Sequence, residues 1–82
     1  MINKCLACGL ITEVDRAHIK TKKSGGTMDD WNIMLLCRRH HVEQHQIGIV
    51  TFTKKYLLVE EELQRKGWKV EEIFGQMKLV RA

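Results

Sequence analysis

Two short pairs of metal-ligand residues constrain the fold of this chain more than any other feature of its sequence. Cys5 and Cys8 form a C-x-x-C pair, and Cys37 and His40 form a C-x-x-H pair. Together the pairs supply three thiolates and one imidazole, which are the ligand types and the number that tetrahedral zinc prefers. The sequence therefore predicts a structural Zn²⁺ site that joins the N-terminal segment to the middle of the chain. In the alternative interpretation, Cys37 is a buried apolar thiol and His40 lies on the surface.

The size of the chain explains why such a site is needed. With 82 residues there is room for one domain, and a domain of this size buries only about 60 to 65% of the surface that its unfolded chain exposes. A zinc site would add folding free energy on the order of 10 kcal/mol. Three cysteines are an odd number, which does not suit a closed disulfide framework and indicates reduced thiols. We expect a cytoplasmic protein, because the N-terminus lacks the apolar stretch of a signal peptide and no apolar run approaches the roughly 20 residues of a membrane span.

The pattern of apolar residues predicts a small α+β protein. A polar, glycine-containing segment separates two candidate strands, and a short helix follows the second strand, with Gly48 in the position of its C-terminal cap. Farther along, apolar residues recur at helical spacing and indicate one amphipathic helix that Gly67 ends. Alternating apolar residues on either side of Gly75 then predict a hairpin. The predicted elements are strands over 12–20 and 31–36, a loop over 21–30, a helix over 38–46, a helix whose buried face carries Phe52, Tyr56, Val59 and Leu63, and a hairpin with Trp68, Val70, Met77 and Leu79.

Two further histidines on the short helix point to a second metal site. Side chains four residues apart lie on one face of a helix, so His41 and His45 can bind one divalent ion through neutral imidazoles. His40 points in a different direction, because successive residues of a helix are about 100° apart. The rival partition gives His41 to the zinc, but it leaves His40 and His45 about 140° apart, which makes a poor chelating pair. A histidine pair at this spacing is otherwise typical of solvated side chains.

The histidines also belong to a longer pattern. His18, Asn32, His41 and His45 are separated by 14, 9 and 4 residues. This order and spacing resembles the HNH (ββα-metal) endonucleases, and it is closest to the small phage and prophage type with a structural zinc. The resemblance covers residues 5–48, where the matching segments are C-x-x-C-G at the start, A-H-I near the first strand and L-C-R-x-H-H-x-E-x-H-x-x-G across the helix. The segment F-x-x-K-Y that follows also resembles that subgroup.

The resemblance implies a fold and an activity. The expected fold is a zinc-stapled ββα-metal core, similar to a treble clef, over residues 1–50. Residues 51–82 would form a C-terminal helix and a tail that pack on this core in a single domain. The expected activity is metal-dependent hydrolysis of phosphodiester bonds in DNA, with nicked and branched DNA among the substrates. A double-strand cutter this small could act as a homodimer, although nothing in the sequence requires one, and no membrane partner is expected.

The family implies a role for each matching residue. His18 would be the general base that takes a proton from water, and the ordinary pKa of imidazole lies near neutral pH, as such a base requires. The divalent metal held by His41 and His45 would stabilise the charge that develops on the phosphate and on the leaving 3′ oxygen. Asn32 would fix the loop between the strands and so orient His18. The products would carry 5′-phosphate and 3′-hydroxyl ends.

One position departs from the family pattern. Many HNH proteins carry Asp or His immediately before the base as a third metal ligand, whereas this chain has Ala17. Asp15 shares a strand face with Ala17 and could reach the ion directly or through water; alternatively, it is a surface carboxylate or pairs with Arg16 or a lysine. Without a carboxylate, two imidazoles and waters suit Zn²⁺, Mn²⁺ or Ni²⁺ better than Mg²⁺, which prefers oxygen ligands. The sequence leaves the identity of this metal open.

The charge of the chain favours a polyanionic partner, since its formal net charge is +4 at pH 7. Five basic residues flank the candidate site and could neutralise phosphates without reading the base sequence, although charged loops are usually just solvated. Trp31 and Trp68 could stack on bases, but tryptophans are more often packed in the core. The five basic residues are Lys20, Lys22, Lys23, Arg38 and Arg39.

Three functions stay open on the sequence alone. The first is an HNH endonuclease that cuts DNA. The second is a zinc-stabilised nucleic-acid-binding module of the same fold whose catalysis is weak or lost, an alternative that Ala17 supports. The third is a protein-interaction adaptor that docks through the predicted helix over 52–63.

Overall fold

The computed structural model describes residues 1–21 and 25–81. Within them, three short strands, three helices and a two-stranded hairpin follow one another. The bounds are β1 Ile2–Lys4, β2 Ile11–His18, β3 Ile33–Cys37, α1 Arg38–Ile47, α2 Ile49–Lys55, α3 Leu57–Arg65, β4 Trp68–Ile73 and β5 Gln76–Arg81, with one 3₁₀ turn at Asp30–Asn32. The first sheet has the strand order β1-β2-β3, and β4 pairs with β5. None of the helices in these residues is long and apolar enough to cross a membrane.

The centre of the fold is a ββα unit. β2 and β3 pair antiparallel, with His18 opposite Ile33. α1 begins at the residue after β3, so Cys37 both ends the strand and caps the helix. This direct junction places the three histidines of α1 on a helix that packs against both strands. The helix predicted over 38–46 is confirmed, and Gly48 ends it with a φ of +85°, which favours glycine.

The strands differ at their ends from the prediction. The strand predicted over 31–36 begins later, because Trp31 and Asn32 lie in the 3₁₀ turn. The turn buries Asn32 completely, so its side chain can bond to the preceding loop. The strand predicted over 12–20 ends at His18. The apolar pattern gives no sign of β1, which pairs with the first residues of β2.

The prediction of a single amphipathic helix over 52–63 is wrong, because the chain forms two helices there, α2 and α3. Tyr56 separates them with an extended backbone, at φ −116° and ψ 110°. Its hydroxyl donates to Glu43 of α1, and its ring meets His40 edge-on at a centroid distance of 5.2 Å. The predicted apolar face packs in the core, so it is already covered within the chain and does not support an adaptor. Its most buried residues are Phe52, Val59 and Leu63, which are at most 1% exposed.

The predicted C-terminal hairpin is confirmed. β4 and β5 pair antiparallel and turn through Phe74 and Gly75, at φ +52° and +78°. Positive φ at both central residues gives a two-residue turn whose twist matches that of the strands. The hairpin also contributes to the core, since Trp68 is 5% exposed. The core cluster consists of Cys5, Ala17, Ile19, Met34, Leu36, Cys37, Phe52, Val59, Leu63 and Trp68.

Candidate metal centre and active site

Four ligand atoms meet where the N-terminal segment approaches the start of α1. The sulfurs of Cys5, Cys8 and Cys37 and one ring nitrogen of His40 all lie within 4.8 Å of one another. His40 Nδ1 is 3.1 Å from Cys37 Sγ and 3.9 Å from Cys5 Sγ. Three thiols and an imidazole in this arrangement could hold a metal ion such as zinc. The prediction that these four residues form one cluster is confirmed.

The local backbone prepares the cluster for a cation. Gly9 takes a φ of +77° directly after the second cysteine, and its N–H donates to Cys5 O at 2.8 Å. Burial alone would raise the pKa of the Cys5 thiol, but hydrogen bonds from the backbone of Cys37, Cys8 and Ala7 outweigh that effect and hold the pKa below its ordinary value. At Cys5, the fold therefore favours the thiolate, which is the form that binds zinc.

A second pair of imidazoles lies farther along α1. The Nε2 atoms of His41 and His45 are 3.2 Å apart. Two nitrogens that bind one tetrahedral zinc ion at about 2.0 to 2.1 Å are themselves about 3.3 to 3.4 Å apart. The observed separation therefore fits a single ion bound by both rings. The structure places His40 with the cysteines and His41 with His45, as the preferred partition of the histidines predicts.

Asp15 contacts the opposite edge of one of these rings. Its Oδ2 lies 3.0 Å from His41 Nδ1 and 3.2 Å from Arg38 Nε. The hydrogen bond with His41, together with the positive charge of Arg38, holds the pKa of Asp15 below its ordinary value. A carboxylate at Nδ1 fixes the ring and leaves Nε2 to bind a metal. In this arrangement Asp15 is a partner of His41 rather than a third ligand beside Nε2, and its ion pair is with Arg38 rather than with Arg16 or a lysine.

The position of the third family ligand offers no donor here. Ala17 is fully buried in the core, opposite Met34 of β3. In residues 1–21 and 25–81, the cluster of three cysteines and His40 is the one group of three or more mutually close ligand atoms. An ion between His41 and His45 would therefore take its other ligands from water or substrate. Open positions of this kind distinguish catalytic metal sites from structural ones.

Asn32 fixes the backbone that follows the predicted base. Its Oδ1 accepts the N–H of Lys20 at 2.7 Å, and its Nδ2 donates to Lys20 O at 3.0 Å and to Thr27 O at 2.8 Å. The side chain thus bridges the two ends of the loop between β2 and β3, as the family resemblance implies. Gly26 leaves room for this bridge. A Cβ at that position would lie 2.8 Å from Asn32 Nδ2 and well inside contact distance of Lys20 O.

His18 ends β2 beside this loop. Its side chain is half-buried, and its Nε2 is buried without a hydrogen-bond partner among the described residues. Such a nitrogen has the capacity to bond a water molecule or a ligand. Among the described residues, the ring of His18 forms no hydrogen bond to His41 or His45. The structure therefore pairs the two histidines of α1 with each other, and His18 lies on β2, the strand against which α1 packs.

These residues fall within a match to a known family. The family model described as "Putative HNHc nuclease" matches residues 1–78. This chain belongs to the HNH nuclease family. The comparisons with curated proteins and with solved structures gave no match. Membership explains why a ββα unit, a Cys and His cluster and a spaced set of histidines occur together, and it makes nucleic acid the substrate class.

The sequence pattern did not indicate one supporting residue of this HNH family member. Gln44 lies between His41 and His45 in a polar run, yet it is only 6% exposed. Its Nε2 donates to the carbonyl oxygen of His18 at 3.2 Å, and its Oε1 is buried without a partner among the described residues. Gln44 thereby connects the strand that carries the predicted base to the helix that carries the two imidazoles. Because the neighbouring residues of α1 are mostly polar, the sequence gives no indication that Gln44 is buried.

A second supporting set joins α1 to α2. Glu43 accepts hydrogen bonds from Lys55 and from the hydroxyl of Tyr56. The bond from Lys55, and then that from Tyr56, hold the pKa of Glu43 below its ordinary value. In the sequence, the F-x-x-K-Y segment is the feature that points to these contacts. Its Lys55 and Tyr56 are adjacent, and both side chains donate to the carboxylate of Glu43.

The predicted nucleic-acid contacts are only partly within the described residues. Lys20, Arg38 and Arg39 are exposed, although Arg38 also pairs with Asp15. Their exposure leaves them able to meet phosphates near the candidate site. Two further predicted contacts, Lys22 and Lys23, lie outside the described residues.

Proposed function

We propose that this HNH family member is a metal-dependent endonuclease that hydrolyses phosphodiester bonds in DNA. The observation that carries the proposal is the pair of Nε2 atoms of His41 and His45, 3.2 Å apart, with the Asp15 carboxylate bonded to the other side of the first ring. A domain that used zinc only for stability would need the four-residue cluster alone. The second pair, backed by a carboxylate, has the donor arrangement of a working metal site.

The chain offers one residue for each step of the hydrolysis. We assign the general base, which accepts a proton from the attacking water, to the imidazole of His18, the residue at the family position for this role. Asn32 holds the loop that follows His18 and so fixes the direction of that ring. A divalent ion bound to His41 and His45 would supply positive charge to the phosphate and to the leaving 3′ oxygen. Water attacks phosphorus as His18 takes its proton, the bond to the 3′ oxygen breaks, and that oxygen takes a proton from solvent, which leaves 5′-phosphate and 3′-hydroxyl ends.

The donor sets suggest which metals the two sites prefer. Three thiolates and an imidazole suit Zn²⁺ at the cluster. Two imidazoles without a direct carboxylate suit Zn²⁺, Mn²⁺ or Ni²⁺ at the second site better than Mg²⁺. Reduced thiols also favour a cytoplasmic location.

The exposed basic residues suggest how DNA is held. Lys20, Arg38 and Arg39 could neutralise phosphates on either side of the scissile bond, with little dependence on base sequence. Nicked and branched DNA stay among the proposed substrates, and a homodimer stays a prediction.

A plasmid-nicking assay with zinc-loaded protein and added Mn²⁺, Ni²⁺, Zn²⁺ or Mg²⁺ tests the proposal. We expect His18→Ala to slow nicking by roughly 100-fold or more, the usual contribution of a general base. As a control, Gln46→Ala changes an exposed residue of α1 outside the proposed site and should keep the wild-type rate. Equal rates for the wild type and His18→Ala would refute the assignment of the base.

A catalytically weak or inactive DNA-binding module of the same fold is the second candidate. The observation that favours it is the complete burial of Ala17, at the position where many family members have a ligand. Salt-sensitive DNA binding without nicking in any of the metals would establish this function in place of the first.

A further inference from the structure

A groove outside both metal sites lies between the C-terminal hairpin, the start of α2 and the segment after β2. Its volume is about 780 Å³, which is within the range of pockets that enclose small organic ligands. The walls combine apolar and basic side chains. The lining residues that matter here are Ile19, Lys20, Trp31, Trp68, Lys78 and Arg81.

The groove is positively charged. Three cations, Lys20, Lys78 and Arg81, line it, and no carboxylate is among the described residues that do so. Glu71 is opposite Lys78 in the hairpin register, but it does not border the groove. Lys20 and Arg81 make this concave surface positive and Lys78, whose register partner is Glu71, adds a third cation, so the groove is complementary to a polyanion.

The groove also presents flat surfaces. The rings of Trp31 and Trp68 are 5.9 Å apart and inclined by 37°, and the Arg81 guanidinium lies 4.7 Å from the centre of the Trp31 ring. Trp68 itself is packed in the core, as the structural interpretation of the tryptophans predicts, and its Nε1–H donates to Trp31 O at 2.7 Å. The half-buried Trp31 and the guanidinium stacked on it provide planes on which an unpaired base can stack.

The groove adjoins the candidate active site. Lys20 follows His18 by two residues, and the Asn32 side chain that fixes this loop holds both backbone groups of Lys20. A strand whose phosphate lies at His18 would therefore reach the groove within a short distance along its backbone.

We propose that this groove binds a single-stranded segment of the DNA substrate adjacent to the scissile phosphate. Phosphates of that strand pair with Lys20, Lys78 and Arg81, and a base lies against Trp31 and Arg81. A continuous duplex keeps its bases paired and stacked inside, so it cannot make the second contact. The preferred substrate would then have an unpaired strand beside the cleavage site. The inference rests on the proposed nuclease function of the neighbouring site.

Intrinsic fluorescence provides a direct test, because the chain has two tryptophans and both line the groove. A short oligothymidylate is titrated into zinc-loaded His18→Ala protein, which prevents cleavage during the measurement. We expect quenching by the single strand and little quenching by a duplex of the same length. Equal quenching by both, or none by either, would overturn the proposal.

Charge-matched double variants locate the contact. Lys78→Gln with Arg81→Gln removes two cations from the groove, whereas Lys54→Gln with Lys69→Gln removes two exposed cations that do not line it. The groove variant should bind the single strand roughly tenfold more weakly, with a salt dependence lower by about 1.4 in log-log slope, or about 0.7 for each lost phosphate contact. The control should bind as the parent does. Equal weakening of both variants would show that the overall charge, and not the groove, binds the strand.

Folding and function are checked separately. Arg81 Nε donates to Lys66 O at 3.0 Å, so the Arg81→Gln change could disturb the hairpin. Lys78→Gln alone must therefore also weaken single-strand binding, and the absence of any effect would overturn the proposal.

Quenching without plasmid nicking by the wild type would refute the nuclease function alone. Nicking without quenching would refute the groove alone.

Discussion

His40→Ala and His45→Ala form a matched pair that tests whether the cluster is structural. Each change removes one imidazole from α1, but only His40 belongs to the four-residue cluster. His40 is 8% exposed and its Nδ1 lies 3.1 Å from Cys37 Sγ. Its replacement leaves three thiolates with an incomplete ligand set, whereas the replacement of His45 leaves the cluster whole.

The expected magnitude follows from what a ligand contributes. Loss of a residue that merely supports a metal ligand costs about 10- to 100-fold in affinity, so loss of a ligand should cost at least roughly 100-fold. That factor corresponds to about 2.7 kcal/mol, or a melting temperature lower by about 11 to 22 °C in a domain of this size. For 82 residues, the whole free energy of unfolding is expected to be about 4 to 12 kcal/mol. Complete removal of zinc, on the order of 10 kcal/mol, should therefore unfold the protein.

Thermal melts followed by far-ultraviolet circular dichroism, with the zinc content measured by elemental analysis, would check both expectations. His40→Ala should melt earlier and lose zinc during dialysis, and a strong chelator should abolish the folded spectrum of the wild type. His45→Ala should keep its zinc and melt within about 4 °C of the wild type, as surface substitutions usually do. An unchanged melt after complete zinc removal, or equal destabilisation by the two variants, would refute a structural cluster.

Three further changes probe the support of the active site. Asp15→Asn should weaken binding of a divalent ion at His41 and His45 about tenfold, because an amide supports the Nδ1–H of His41 less well than a carboxylate does. Calorimetric titration with Mn²⁺ measures this affinity, and an unchanged affinity would exclude the supporting role. Gln44→Leu should lower the free energy of unfolding by about 1 to 2 kcal/mol, since the carbonyl at the end of β2 loses its donor; denaturant titration measures it, and a neutral result would contradict the importance of this link. Gly26→Ala should cost about 1 to 3 kcal/mol and also reduce nicking, because the new methyl group would overlap Lys20 O; wild-type stability would show that the loop can shift.

The grouping of side chains in the cysteine and histidine cluster and in the proposed His41–His45 site could be predicted from the sequence, because it depends on local spacing. The turn after Cys8 needs a residue that tolerates positive φ, and Gly9 follows it directly. The geometry of a helix pairs His41 with His45 and turns His40 away, whatever the rest of the chain does. Ligand type, turn geometry and helical periodicity are properties of a few consecutive residues, so they can be recognised without a tertiary structure.

Tertiary packing decided the features that support these sites. Asp15 bonds to His41 because the pairing of β2 with β3 and the direct β3 to α1 junction bring a strand and a helix together. The helix break at Tyr56 accompanies its contacts to α1, and the burial of Gln44 depends on the strand beneath it. In each case the partner is distant in sequence. The sequence pattern does not distinguish a polar residue that faces solvent from one that bonds to a buried carbonyl. Only the folded chain determines which of the two it faces.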